Sequence, residues 1–216
     1  MLKEYTLDTE DEKIVNELDN LLGVVQNKET LKNYISYIKL RKNNQITFGN
    51  YNIIIRNDSA YDIMNDFLKV CGKLFLKYGL IQNDRICYLD KIINSRKDWA
   101  LDKLVGIEDG IIVLNDKKMR LDYTKDHDDI KRIMEMFKDK IFIFEDSSWC
   151  EGFADAEIGE LASWRMSIQS ISLDDKIMYC QKMLDDNSLK YKKQDLKSFA
   201  DNPFWKLKNM VMQLII

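Results

Sequence analysis

Residues 52–56 read NIIIR, and residues 57–79 continue NDSAYDIMNDFLKVCGKLFLKYG. Three successive isoleucines without polar alternation suit a strand covered on both faces, as in a parallel sheet. The stretch that follows is amphipathic and long enough for a crossover helix. The same couplet recurs downstream. RICYL (Arg85–Leu89), GIIVL (Gly110–Leu114) and KIFIF (Lys140–Phe144) are further short apolar runs. RKDWALDKLVG (residues 96–106) and DIKRIMEMFKD (residues 129–139) are the helical segments between them, and MSIQSI (Met166–Ile171) reads as a fifth strand. Repeated strand–helix units predict a doubly wound α/β body around a parallel five-stranded sheet.

Helices flank this body. Ile14, Val15, Leu18, Leu21 and Leu22 predict one amphipathic helix that Gly23 ends, and Leu31, Tyr34, Ile35, Ile38 and Leu40 predict a second. Beyond Leu173, LDDKIMYCQKMLDD, KKQDLKSFADN and PFWKLKNMVMQLII all read as helices. Asp174 or Asp175 is the expected cap of the first, and Pro203 suits the start of the last. The expected organisation is a helical lead-in over 1–45, an α/β body over 46–172 and a helical lid over 173–216, with a mobile joint near residue 172.

Composition excludes several function classes. The net charge is −3 and Lys and Arg are interspersed with Asp and Glu, so no basic face draws the chain to nucleic acid or an acidic membrane. Eight glycines and one proline in 216 residues leave no room for Gly- or Pro-rich repeats. Cys71, Cys87, Cys150 and Cys180 are widely spaced without a CxxC pair, which argues against zinc and for reduced thiols. With no apolar signal core and no run long enough to span a bilayer, the expected location is cytoplasmic.

The order of these segments resembles that of an AAA+ ATPase module, and in particular its CbxX/CfqX-like branch. ELDNLLGVVQNKETLKNYISYIKLRKNN (residues 17–44) resembles the branch's lead-in. FLKYGLI (residues 75–81) resembles the end of its first crossover helix, GIIVLND (residues 110–116) its Walker B strand, and NPFWKLKNMV (residues 202–211) a phrase of its lid. The resemblance implies an AAA+-like P-loop sandwich followed by a small helical lid, and assembly into rings.

At the places where that family does its chemistry, this chain departs from it. A P-loop needs glycines to cradle phosphate, a lysine for the β/γ-phosphates and a Ser/Thr on Mg²⁺. After NIIIR come Asn57 and Asp58, and Ile63 or Met64 falls where the lysine belongs. The Walker B acids correspond to Asn115 and Asp116. Glu145 and Asp146 end the fourth strand where the branch has a neutral phrase, and they put carboxylates where a γ-phosphate would sit. Arg165 is the one survivor of the arginine-finger phrase, as a possible trans-acting finger. Phe204 or Trp205 stands where the lid's sensor arginine is expected, and the threading loop near Lys91–Ser95 has no aromatic residue. Phosphoryl transfer depends on positioned cations and metal. The expectation is therefore a pseudo-ATPase with no catalytic residues, cofactor or metal. It would serve as a structural or regulatory subunit beside a protein partner, either an active AAA+ protein or itself. The alternatives are a stand-alone protein-binding module on the same fold, or an enzyme of unrelated chemistry at the strand carboxyl ends, where Glu145, Asp146 and Asp116 would act.

Other constellations have plain readings beside functional ones. His127, the single histidine, is a helix-start residue or the partner of Cys150 in a Cys–His mechanism. The acidic run EDSSWCEGFADAEIGE (residues 145–160) is a solvated loop, or a surface for a metal or a basic partner. Trp164, Phe204 and Trp205, with Trp149, are core residues or a partner-contact surface.

Overall fold

The computed structural model describes residues 6–47, 49–57, 61–88, 110–115, 123–146 and 161–200. In chain order these form α1 (Thr9–Asn16), a 3-10 turn (Glu17–Asn20), α2 (Asn27–Lys42), β1 (Ile53–Asn57), α3 (Tyr61–Lys77), β2 (Ile86–Tyr88) and β3 (Ile111–Asn115). α4 (Tyr123–Met136), β4 (Ile141–Asp146), β5 (Trp164–Ile168), α5 (Leu173–Asp186) and α6 (Lys193–Ala200) follow. The strands form one sheet in the order β2-β3-β4-β1-β5, and every pair is parallel. The protein is thus α/β with a five-stranded all-parallel sheet, at the positions where the apolar runs predict strands.

The strand order explains how the two faces are covered. From β1 the chain crosses to β2 at the far edge, then returns through β3 and β4 and passes β1 to reach β5. Right-handed crossovers running in opposite senses put their helices on opposite faces. Accordingly Ile53 and Ile55 of β1, with Ile141 and Ile143 of β4, share a buried cluster with Phe67, Leu68 and Leu74 of α3. Ile54, Ile112, Phe142 and Phe144 face the other way, against Ile130 and Ile133 of α4. The α3 face also carries α1 and α2, and Cys180, Leu184 and Leu196 of the C-terminal helices belong to the same cluster.

Three local expectations are corrected. β5 runs Trp164–Ile168 rather than Met166–Ile171, because Trp164 and Arg165 pair with Ile53 and Ile54 and β1 ends opposite Ile168. Beyond that point Gln169 N donates to Gly23 O at 3.1 Å instead of continuing the ladder. The first helix starts at Thr9 and stops at Asn16, well before Gly23. Gly23 has φ +70° in the link to α2, and a Cβ there would lie 2.8 Å from Gln169 O. Finally, α5 is capped by Ser172, not by Asp174 or Asp175. Ser172 Oγ accepts from Asp175 N at 3.1 Å, while the Asp175 carboxylate accepts from Ser172 N at 2.9 Å, a reciprocal capping box.

The expected helix over residues 96–106, the loop at Lys91–Ser95 and the final helix from Pro203 lie outside the described residues. Among the described residues no helix is long and apolar enough to cross a membrane.

Candidate functional site

In an open parallel sheet ligands bind outside the carboxyl ends of the strands, where neighbouring strands send the chain in opposite senses. Here that point lies between β1 and β4: from β1 the chain runs toward β2, and from β4 toward β5. β1 ends in Asn57 and β4 in Glu145 and Asp146. Alternation along each strand places Asn57 with Ile53 and Ile55, and Glu145 with Ile141 and Ile143, on the face that α3 covers.

The two side chains meet there. Asn57 Nδ2 donates to Glu145 Oε1 at 2.6 Å, and Glu145 is 8% exposed. The hydrogen bond satisfies a carboxylate in surroundings where an unpaired one is costly. Across the sheet, Glu145 is in register with Ile55 on one side and Asn115 on the other, and Asp146 with Arg56. Three strands thus bring positions 57, 115, 145 and 146 to one end of the sheet.

The approach to this end differs from a phosphate loop. Three residues separate the last residue of β1 from the first of α3, whereas the G-x-x-x-x-G-K spacing puts four residues between its glycines alone. Ile63 and Met64, the two candidates for the lysine position, already lie within α3. They are 2% and 0% exposed and belong to the apolar cluster between α3 and the sheet.

The remaining positions are placed as follows. Arg165 lies within β5, exposed and in register with Ile54, rather than in a preceding finger loop. Trp164 is half-buried, its ring 5.2 Å from that of Tyr34 and 5.6 Å from that of Tyr37. Asp58, Asp116, Trp149, Cys150, Phe204 and Trp205 lie outside the described residues, as do the side chains of Asn115, His127 and Asp146. Cys71, Cys87 and Cys180 are buried and form no disulfide. Among the described residues no group of three His, Cys, Asp or Glu side chains is placed to hold a metal ion.

Three buried polar residues among those described, Asn27, Asn52 and Asp11, are not singled out by the sequence. Asn52 bridges the sheet at the opposite end of β1: its Oδ1 accepts from Phe142 N at 2.9 Å, and its Nδ2 donates to Leu161 O at 3.1 Å. Asp11, fully buried, lies where α1 meets α2 and α3. Its neighbour Asp8, three residues earlier, is the one sequence signal, because a D-x-x-D pair is a variant of the capping-box spacing.

No protein-family model matches this chain, and no curated protein matches its sequence.

Proposed function

We propose that this protein is a non-catalytic P-loop-type sandwich of AAA+ descent that serves as a structural or regulatory subunit. The observation that carries the reading is the Asn57–Glu145 pair at the crevice between β1 and β4. A buried carboxylate there opposes a polyphosphate through like-charge repulsion, which low-dielectric surroundings strengthen. Ile63 and Met64, packed into the core, fill the positions a phosphate-binding lysine would need. The strand order, with β1 between β4 and β5, is compatible with a P-loop sandwich and supports the proposed ancestry.

The test is a calorimetric titration of the protein with ATP and with ADP, each with and without Mg²⁺. No binding heat is expected. Magnesium-dependent micromolar binding would overturn the reading, because the missing glycines and lysine would then be dispensable.

In the subunit role the partner is an active AAA+ protein or a second copy of this chain, and Arg165, exposed on β5, is the residue to reach a neighbour's nucleotide. Arg165→Ala is expected to lower the partner's ATPase rate in a mixed complex, and an unchanged rate excludes that contribution. A chain that stays monomeric in gel filtration with and without the co-expressed partner favours the stand-alone binding module instead.

A further inference from the structure

We infer that Asp11 is a buried latch that fastens α1 across the ends of α2 and α3, making α1 a strap that releases as a unit while the sheet stays folded. The inference is independent of the nucleotide-site reading. It rests on how fully one carboxylate is used. Asp11 Oδ2 accepts from Lys39 Nζ of α2 at 2.7 Å and from Asp8 N at 3.1 Å. Oδ1 accepts from Lys77 Nζ of α3 at 2.6 Å and from Tyr78 OH at 2.7 Å. A carboxylate has about four lone-pair sites, so Asp11 is saturated by donors from three elements.

The groups around it reinforce the same attachment. Lys77 also donates to Asp8 Oδ1 at 2.5 Å and lies 3.7 Å from Glu10 Oε2, while Lys39 also donates to Thr6 O at 2.9 Å. Lys42 donates to Tyr78 O. Lys39 lies in the last turn of α2 and Lys77 in that of α3, where a cation also meets the negative end of the helix dipole. Leu7 packs against the core cluster, and polar ties from residues 6–11 run to Lys39, Lys77 and Tyr78.

An eight-residue helix does not hold its shape alone in water, so α1 depends on docking. Its buried apolar side chains are Ile14 and Val15, a small area against the entropy of ordering eight residues. The network at Asp11 therefore decides whether the strap is shut. Burial alone would raise the Asp11 carboxyl, but the hydrogen bonds from Lys39, Lys77 and Tyr78 outweigh it and bring the pKa to about 2. The strap accordingly stays closed across the neutral range.

Hydrogen exchange on the full chain with Asp11→Asn tests this. Asparagine turns the two acceptor sites of one oxygen into donors that face the ammonium of Lys39 or of Lys77, so the latch opens without a change of volume. Amides of residues 9–16 should exchange on the order of 100-fold faster and approach the unprotected rate, while β1 and β4 stay protected far above them. Lys39→Met, which removes one of the two ammonium groups, should give the same pattern at roughly 10-fold. Equal residual protection in α1 and the sheet would overturn the inference, as would unchanged α1 amides. A D11N chain that failed to fold would also overturn it, since α1 would then be inseparable from the sheet.

Discussion

Glu145 and Asp11 are buried carboxylates associated with opposite ends of α3, a helix roughly 25 Å long. Glu145, beside the end that follows β1, accepts a hydrogen bond from the neutral amide of Asn57. Asp11, at the other end, is gripped by two ammonium groups and a phenol. The comparison separates two uses of a buried charge. At the crevice, where a nucleotide-binding protein concentrates cations to receive phosphate, this chain sets a carboxylate. At the far end it commits lysines to an internal carboxylate of its own, which holds the chain's first helix in place.

The largest test of this contrast is Asp11→Ala. Removing the carboxylate takes their shared partner from two half-buried ammonium groups, Lys39 keeping Thr6 O and Lys77 keeping Asp8 and Glu10, and stability should fall by about 3 kcal/mol in urea unfolding. A loss below 1 kcal/mol would mean that the network is ornamental.

Acid titration comes next. The folded pKa of Asp11 lies below its ordinary value, so its contribution is fully present above pH 4 and is lost as the pH falls toward 2. Stability should drop by roughly 2 kcal/mol over that window, and Asp11→Asn should flatten the slope there. Lys77 has the opposite sign. Burial would lower its pKa, but its hydrogen bonds to Asp11 and Asp8 raise it, so its contribution is complete below its ordinary value and fades only in strong alkali.

At the other carboxylate, Asn57→Ala removes a hydrogen bond to a charged group and should cost about 1.5 kcal/mol in the same unfolding assay. If it costs nothing, Asn57 is not what satisfies Glu145. The smallest effect serves as a control away from both. Ser172→Ala breaks the α5 capping box, with an expected loss of about 1 kcal/mol by thermal melting and no change in hydrogen exchange at α1.

Much of the sheet was legible because a strand buried on both faces has to be apolar at every position, and NIIIR, GIIVL and KIFIF obey that rule without tertiary information. The meeting of Asn57 and Glu145 was legible for a related reason: both close such runs, and a parallel sheet brings its strand ends together although they lie 88 residues apart. β5 was less visible. Trp164 and Arg165 do not read as an apolar run, and their place in the sheet is set by pairing with β1. Asp11 was hidden for the opposite reason. An acidic residue in a polar N-terminal stretch looks solvated, and its burial depends on lysines 28 and 66 residues away. Only the spacing of Asp8 and Asp11 carried a hint, and it spoke of a helix start rather than of a charge network.

The outer edge of β5 bears on how copies of this protein can meet. Asn27 receives a hydrogen bond from Ser167 N at 3.3 Å and returns one from Nδ2 to Ser167 O at 2.5 Å, so a side chain imitates the next strand. Gly23 O takes the N–H of Gln169 just beyond. Groups that would otherwise template an intermolecular ladder are occupied from within, and the left-handed backbone at Gly23 keeps that closure close to the sheet. Strand addition is thereby blocked at the carboxyl half of this edge, at Ser167 and Gln169, where association has to proceed through side chains rather than through a shared backbone ladder.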